Sequence, residues 1–190
     1  MKFDIHIHTN HSDGMMSPQD AVKQAAKSLD GMAIADHDTM AGVSAAKAAA
    51  KKLGIIFIPA VEITTQFGDI LALGVQETPK TKNIPDILDN IRQQGGVAII
   101  AHPFAGYFQV SLADIVSMLK DKIDAIEVYN ASTPMPANLE ASRLAKKLSM
   151  VGVAGSDAHF PEMVGAAYTI SDDSNIVRAI KKGDVKVGWV

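Results

Sequence analysis

The chain opens on Lys2-Phe3-Asp4-Ile5-His6-Ile7-His8, a stretch in which apolar and polar residues alternate. This alternation is typical of a β-strand, because successive side chains of a strand point to opposite faces. Asp4, His6 and His8 therefore share one face, and the intervening isoleucines face a layer that helices would cover. Residues i and i+2 of a strand lie about 6.6–7 Å apart. Two imidazoles at that spacing can close on one metal ion at metal–nitrogen distances near 2.1 Å.

Strand and helix patterns alternate along the rest of the chain. Apolar runs predict strands at 32–35, 55–61, 70–75, 97–101, 125–129 and 150–154, a short extra strand at 166–170 and a terminal strand at 185–190. Apolar periodicity predicts helices at 17–29, 40–53, 85–94, 111–120, 138–149 and 176–182. This order indicates parallel βαβ units, which fit an open doubly wound sheet or a barrel. A length of 190 residues without a long linker predicts one domain over 1–190.

Composition excludes several classes of protein. The sequence has no cysteine, which excludes disulfides, iron–sulfur clusters and thiolate zinc sites. No apolar run approaches about 18 residues and the first residues lack an apolar signal region, so we expect no membrane partner and a cytoplasmic location. The 18 basic and 21 acidic residues give a net charge of -3, which argues against a dominant nucleic-acid patch.

The histidines occupy one kind of position in the predicted fold. All six lie at strand ends or directly after them: His6, His8, His11, His37, His102 and His159. The acidic residues Asp13, Asp36, Glu62 and Asp157 lie at similar places. In parallel α/β folds the ligand site forms at the carboxyl ends of the strands. Five strands thus deliver imidazole or carboxylate groups to one end of the sheet, which a closed barrel achieves more easily than an open sheet.

Each of these features has an ordinary structural reading when it is taken alone. A single histidine is usually a structural residue, Asp36-His37-Asp38 fits a turn with a helix cap, and His102-Pro103 fits a strand terminus. Together, on separate strands, they favour a metal site. Nitrogen and oxygen ligands without sulfur suit Zn²⁺, Mn²⁺ or Fe²⁺. Up to nine candidate ligands exceed the needs of one tetrahedral ion, so we predict two or three divalent ions, with Glu62 as a candidate bridge.

These motifs, in this order, resemble those of the PHP (polymerase and histidinol phosphatase) domain family. Residues 4–9 with Ser12-Asp13-Gly14 resemble the first motif, 34–39 the second, 61–63 the glutamate strand, 101–103 the third motif and 155–159 the fourth. Residues 127–130 are similar to another recurrent stretch. The match runs from residue 4 to about 160, nearly the whole chain. The resemblance implies a distorted seven-stranded (β/α)7 barrel, TIM-barrel-like, with a trinuclear metal centre.

The resemblance also implies a ligand set. The first ion would take His6, His8, Glu62 and Asp157, the second Glu62 and His102, and the third Asp13, His37 and His159. Many relatives carry a histidine in the strand after the glutamate, at the position where this chain has Asp69. Asp69 either replaces it as an oxygen ligand or leaves the second ion more weakly held. His11 occupies a variable position and is expected to be a partly exposed rim residue.

PHP proteins are mostly phosphoesterases, and these residues permit that chemistry. Neighbouring ions lower the pKa of a shared water, and the resulting hydroxide would attack phosphorus in line. The catalytic candidates are Asp157, His159 and Asp36, and the general acid stays open between Asp36, His159 and a metal-bound water. Arg143 is a candidate for binding a substrate phosphate, although an exposed helix residue fits its position equally well.

The substrate class follows from size and charge. Only residues 63–101 separate Glu62 from His102, which leaves no room for the helical module of some relatives and predicts an open pocket. A small phosphomonoester, a nucleotide or a short oligonucleotide end is favoured as the partner, and the oligomeric state is left open. The alternatives are a 3'-5' exonuclease-type phosphodiesterase, an amidohydrolase, whose first barrel strand also carries His-x-His, and a non-catalytic metal-binding module.

Overall fold

The computed structural model describes residues 1–106 and 112–190. The strands of this part are β1 (Lys2–Asp4), β2 (Gly31–Ile34), β3 (Ile56–Thr65), β4 (Gly68–Leu73), β5 (Val97–Ile100), β6 (Ala125–Asn130), β7 (Val151–Gly155), β8 (Ala167–Ile170) and β9 (Lys186–Trp189). Its helices are α1 (Pro18–Ala25), α2 (Val43–Leu53), α3 (Ile84–Gln93), α4 (Leu112–Leu119), α5 (Met135–Leu148) and α6 (Ile176–Lys182). Within this part of the chain, every helix is too short or too polar to cross a membrane.

The strands form one sheet in the order β7-β6-β5-β4-β3-β2-β1-β8-β9. It curls into a nearly closed barrel, in which β7 returns to the chain just after β1. Ile7 forms a parallel bridge with Ala158, and the His8 amide donates to the Ala158 carbonyl at 3.0 Å. Lower in the seam, the Thr169 hydroxyl donates to the Ala154 carbonyl at 2.8 Å and accepts from its amide at 2.9 Å. One side chain thus replaces a missing strand-to-strand ladder.

The predicted seven-stranded (β/α)7 barrel is wrong in its strand count and in part of its connectivity. The described sheet has nine strands, and β4 pairs antiparallel with both β3 and β5. Two residues, Gln66 and Phe67, join β3 to β4, whereas a parallel crossover needs a dozen or more. Because the hairpin reverses the chain, β4 begins where β3 ends. Asp69 is therefore paired with Thr64, two residues beyond Glu62.

Local signals place the helices close to their predicted positions. Ser17 caps α1, its hydroxyl accepting from the Asp20 amide at 3.1 Å as a predicted N-cap should. Helix α2 begins at Val43 rather than at residue 40. It ends at Leu53, and the following Gly54 has the left-handed φ of 71° that glycine adopts without strain. The predicted helix at 111–120 starts at a residue outside the described ranges.

The barrel interior is filled by side chains from most of the strands. Phe3 and Ile5 are fully buried there with small and branched residues of β2 to β7. Helix α6 adds Ile176, Ala179 and Ile180 to the same cluster.

The predicted strand at 2–7 ends at Asp4, whose Oδ1 atom accepts from the His6 amide at 3.3 Å. Beyond it Ile7 forms only an isolated bridge with Ala158, and its carbonyl accepts from the Ala35 amide at 2.9 Å. The prediction that both isoleucines face the helices is wrong for Ile5, which packs in this interior, and Ile7 alone packs with residues of α1 and α2. The packed interior leaves the carboxyl ends of the strands as the place for a site.

Candidate metal centre

One end of the barrel gathers the predicted ligands from six separate segments. His6 and His8 follow β1, His37 follows β2, Glu62 lies on β3, Asp69 on β4, His102 after β5, and Asp157 and His159 after β7. The backbone is unusual at three of these ends, where Asp38, His102 and Asp157 have φ values of 53°, 25° and 53°. Such a conformation costs a non-glycine residue free energy, and residues of this kind concentrate at functional sites.

The deepest group is built around Glu62. Its Oε2 atom lies 3.2 Å from Nε2 of His6 and 3.2 Å from Nε2 of His8. The same His8 nitrogen is 3.1 Å from Oδ1 of Asp157. His6, His8 and Glu62 are fully buried. The structure therefore brings together the four residues that the resemblance assigns to the first ion.

Two further groups adjoin the first. On one side, Nε2 of His102 lies 3.0 Å from the second oxygen of Glu62, so this carboxylate faces two groups at once. Asp69 can place an oxygen within 4.8 Å of ligand atoms of both Glu62 and His37.

On the other side, Asp13 lies at the centre of the third group. Its Oδ2 atom lies 3.1 Å from Nε2 of His159 and 3.7 Å from Nε2 of His37. Its Oδ1 atom lies 3.5 Å from Nδ1 of His8. The predicted third set is thus assembled, and His8 lies between it and the first.

The buried atoms of the centre suit a cation. Among the described residues, four buried side-chain atoms have no hydrogen-bond partner: Nε2 of His6, both ring nitrogens of His8 and Oε2 of Glu62. A buried polar atom without a partner is costly, typically by about 1–3 kcal/mol. Three of these atoms converge on one point between His6, His8 and Glu62, where a shared divalent ion would satisfy them together.

Distances between the candidate ligands match a coordination shell. Ligand atoms about 2.1 Å from an ion lie roughly 3.0–3.4 Å apart in tetrahedral or octahedral geometry. The contacts of Glu62 with His6, His8 and His102, at 3.2, 3.2 and 3.0 Å, fall in that range. The donor set of imidazole nitrogens and carboxylate oxygens suits Zn²⁺, Mn²⁺ or Fe²⁺. The residues present therefore fit divalent metal ions.

The pKa values of the candidate ligands show how strongly the centre favours positive charge. Burial raises the pKa of Glu62, but the charge of His6 and hydrogen bonds to histidines outweigh it and hold that pKa well below the usual range. Burial lowers the pKa of His8 and His102, but the carboxylates that face them, Asp157 and Glu62 for His8 and Glu62 for His102, outweigh it and raise each to about 9. The pKa of Asp157 falls to about 2, because His6 and His8 more than offset its burial. The carboxylates of the centre thus favour positive charge on the facing histidines, as they would favour a metal cation.

Glu127 is a buried acid that the sequence reasoning left without a role. Its Oε1 atom lies 3.0 Å from Nδ1 of His6, and its Oε2 atom accepts from the His102 amide at 3.0 Å. The side-chain amide of Asn130 donates to the same Oε2 at 3.0 Å and to Oδ2 of Asp157 at 3.3 Å. A buried acid needs such partners. The position of an acid within an apolar strand was therefore the sequence signal for a role of Glu127. Glu127 and Asn130 orient three candidate ligands.

Asp36 lies beside the centre and is fully engaged by the loop after β1. Its oxygens accept from the Thr9 amide at 2.6 Å, the Thr9 hydroxyl at 2.7 Å and the Ser12 hydroxyl at 2.9 Å. These bonds hold the loop that carries Asp13. The contacts favour a positioning role for Asp36, and a role in proton transfer stays a prediction.

Two other candidates lie apart from the assembled groups. Arg143 is exposed on α5 and pairs with Glu140, three residues earlier on the same helix. Its predicted contact with a substrate phosphate is untested. His11 is exposed and stands outside the four groups that could hold a metal ion, as a rim residue should.

Comparison with protein families decides the classification. A model described as the PHP domain matches residues 4–132, and a second, described as PHP-associated, matches residues 136–185. The chain belongs to the PHP domain family. The first of these matches carries seven of the nine candidate ligands, and the second carries the remaining two, Asp157 and His159.

Relatives of this PHP protein include characterised and uncharacterised chains. It is 33% identical over 144 residues to an uncharacterized protein of Methanocaldococcus jannaschii, covering 69% of this chain and 82% of that one. It is 32% identical over 117 residues to the 3',5'-nucleoside bisphosphate phosphatase of Chromobacterium violaceum, covering 55% of this chain and 40% of that enzyme. The match therefore spans less than half the length of that enzyme.

A solved structure supports the fold. The crystal structure of a two-domain protein from Bacteroides vulgatus, containing a predicted PHP-like metal-dependent phosphoesterase, superposes with a TM-score of 0.83 at 20% identity. The match covers 100% of this chain and 64% of that one. The barrel described above is thus an arrangement found in other PHP-like proteins.

Proposed function

We propose that this PHP protein is a metal-dependent phosphoesterase that hydrolyses a small phosphomonoester or nucleotide. One observation carries the proposal: buried, unpartnered nitrogen and oxygen atoms of His6, His8 and Glu62 converge at the carboxyl end of the barrel. Such a set costs stability unless a cation satisfies it. A site of this kind at the ligand-binding end of a barrel serves metal-assisted hydrolysis.

The charges of the centre suit a phosphate. Four carboxylates, those of Asp13, Glu62, Asp69 and Asp157, take part in the groups that could hold metal. Two divalent ions would neutralise them, and three would leave a positive excess that attracts a phosphate dianion. Bound ions would supply an activated water and hold phosphoryl oxygens. We therefore assign two or three Zn²⁺, Mn²⁺ or Fe²⁺ ions to these side chains.

The protein's own residues fix the geometry. The backbone carbonyl of Asp157 lies 2.9 Å from Nδ1 of His159, which places the ring proton on Nδ1 and leaves Nε2 to face Asp13. Glu127 does the same for His6. We assign ligand and charge-stabilising roles to Asp157 and His159, and a positioning role to Asp36. With both ring nitrogens of His159 engaged in this way, the substrate's leaving oxygen takes its proton from solvent held at the centre.

Size and charge argue for a small substrate. Only residues 63–101 separate Glu62 from His102, which leaves no room for an inserted helical module, and a net charge of -3 offers little to a long nucleic-acid backbone. The Chromobacterium relative acts on a nucleoside bisphosphate, which supports a nucleotide or a short oligonucleotide end as the substrate here. Residues 1–190 act as a single domain in this proposal.

The test is a substrate panel on metal-loaded protein. We expect release of phosphate from p-nitrophenyl phosphate, nucleotides or sugar phosphates, abolished by His8→Ala and retained by His11→Ala, which alters an exposed histidine outside the metal groups. Turnover of amides or lactones alone would show an amidohydrolase. No turnover above the His8→Ala background, with metal bound, would show a non-catalytic module.

A further inference from the structure

A groove of about 400 Å³ opens beside the hairpin that joins β3 to β4. Its lining includes Phe67 at the hairpin, Lys82, Ile84 and Pro85 at the start of α3, and Met118 on α4. All of these except Lys82 are apolar. The hairpin, the lysine and the start of α3 lie at the end of the barrel that carries the metal centre, because β3 ends and β4 begins there.

Lys82 connects this groove to the metal centre. Its ammonium group donates to Oδ1 of Asp38 at 2.8 Å and to the Thr64 carbonyl at 3.0 Å. The Thr64 hydroxyl in turn lies 3.1 Å from Nδ1 of His37. One residue, Thr64, therefore separates the lysine that lines the groove from the candidate metal ligand His37.

Lys82 is suited to receive a phosphate oxygen. An ammonium group has three N–H donors, and the two bonds to Asp38 and Thr64 leave a third directed away from them. The two bonds also hold the flexible side chain in place, which reduces the entropy that binding an anion would cost.

The apolar wall beyond Lys82 is suited to a flat ring. Phe67 is half-buried and packs against the hydrophobic core, so its ring is already positioned. Met118 is 75% exposed, and Pro85 adds a rigid apolar surface. Exposed apolar side chains around a concave site mark ligand binding, and thioether and aromatic groups favour contact with a π-face. A substrate that carries only a sugar or a glycerol group has no flat ring to contact these apolar side chains.

We infer that the groove is the subsite for the base of a nucleoside phosphate, whose ring lies against Phe67 and Met118 while Lys82 holds an oxygen of the phosphate entering the metal centre. This inference rests on the proposed phosphoesterase function and narrows its substrate to nucleotides. It predicts two separable effects, because the lysine contacts the phosphate that all candidate substrates share and Phe67 contacts only the base.

Steady-state kinetics of metal-loaded protein with a nucleoside 5'-monophosphate and ribose 5-phosphate test the inference. Lys82→Ala should raise KM about tenfold for both substrates, with kcat little changed, since one charge-assisted hydrogen bond is lost. Phe67→Leu keeps the apolar bulk but removes the ring, and should raise KM about tenfold for the nucleotide alone. Lys80→Ala, two residues from Lys82, is the matched control and should behave as wild type.

The outcomes separate this inference from the proposed function. If neither substrate is hydrolysed, calorimetric binding of the nucleoside monophosphate to metal-loaded protein still tests the groove, with the same order of affinities expected. Equal KM changes for both substrates in Phe67→Leu would overturn the base subsite. Wild-type KM values in Lys82→Ala would overturn the role of the lysine.

Discussion

Nδ1 of His6 lies 3.0 Å from Oε1 of Glu127, and both side chains are fully buried. The carboxylate accepts the Nδ1 proton, which leaves the Nε2 lone pair directed at Glu62 and Asp157. A carboxylate behind a metal-binding histidine fixes its tautomer and ring orientation and increases its basicity. Glu127 therefore prepares His6 for a metal ion without touching the ion.

Replacing this carboxylate should weaken metal binding while the barrel stays folded. For Glu127→Gln we expect divalent-metal affinity to fall about 10–100-fold, because the amide stabilises the His6 proton less well. Competition with a chromophoric chelator measures the change. Glu140→Gln, which alters an exposed acid on α5, is the control and should leave affinity unchanged. Unchanged affinity in Glu127→Gln would remove Glu127 from the centre.

Gly155 allows this pair to form. A Cβ atom at this position would lie 2.5 Å from Cβ of His6 and 2.9 Å from Oε1 of Glu127. Gly155→Ala should therefore displace His6 and cost both metal affinity and thermal stability. Gly95→Ala is the comparison, because its Cβ would meet open space and only the φ of 79° opposes it, at about 1 kcal/mol. Equal metal affinity in the two variants would contradict the argument.

Metal loading should release protons near neutral pH. The metal-free protein holds His8 and His102 with a pKa of about 9, above the ordinary value of 6.5. Their protonated forms thus stabilise the metal-free fold below pH 6.5, and that stabilisation disappears as the pH rises through 9. Both rings must lose a proton to bind metal, so at pH 7.5 we expect them to release about two protons when the centre fills. The pKa of His6 is also raised well above 6.5, because Glu62, Glu127 and Asp157 outweigh its burial, so His6 should add about one more.

Calorimetry in buffers of different ionisation enthalpy measures this release. His102→Ala should reduce it by about one proton, and His11→Ala should leave it unchanged. The thermal midpoint of the metal-free protein should also fall between pH 6.5 and 9, while that of the loaded protein changes less. Metal binding without proton release would show that the two rings are neutral beforehand.

Most of the candidate site could be read from the sequence because its ligands are tied to local positions. The period of two predicts that His6 and His8 point the same way, and the ends of parallel strands meet at one edge. Both rings do reach Glu62, although they follow the strand rather than lie in it. The groups around Glu62 and Asp13 follow from these two rules and from the family motifs. The sequence resemblance also named the fold family correctly.

The features that could not be predicted depend on contacts between segments that the sequence pattern does not bring together. The antiparallel position of β4 depends on the two-residue link at Gln66-Phe67, which the alternation of strands and helices conceals. Glu127 looks like any acid within a strand until the fold places it behind His6. Lys82 is distant in sequence from Thr64, and their contact exists only because the segment before α3 returns to the site end of the barrel.

Part of the barrel seam, between β7 and β8, is joined by one hydroxyl. Thr169 is fully buried, and its side chain satisfies both the amide and the carbonyl of Ala154. Thr169→Val preserves shape but leaves two buried backbone groups unpaired, which should cost about 3 kcal/mol and lower the thermal midpoint by roughly 5–10 °C. Thr169→Ser retains the hydroxyl and should recover most of that loss. If Thr169→Val were as stable as Thr169→Ser, the seam would be held by apolar packing instead.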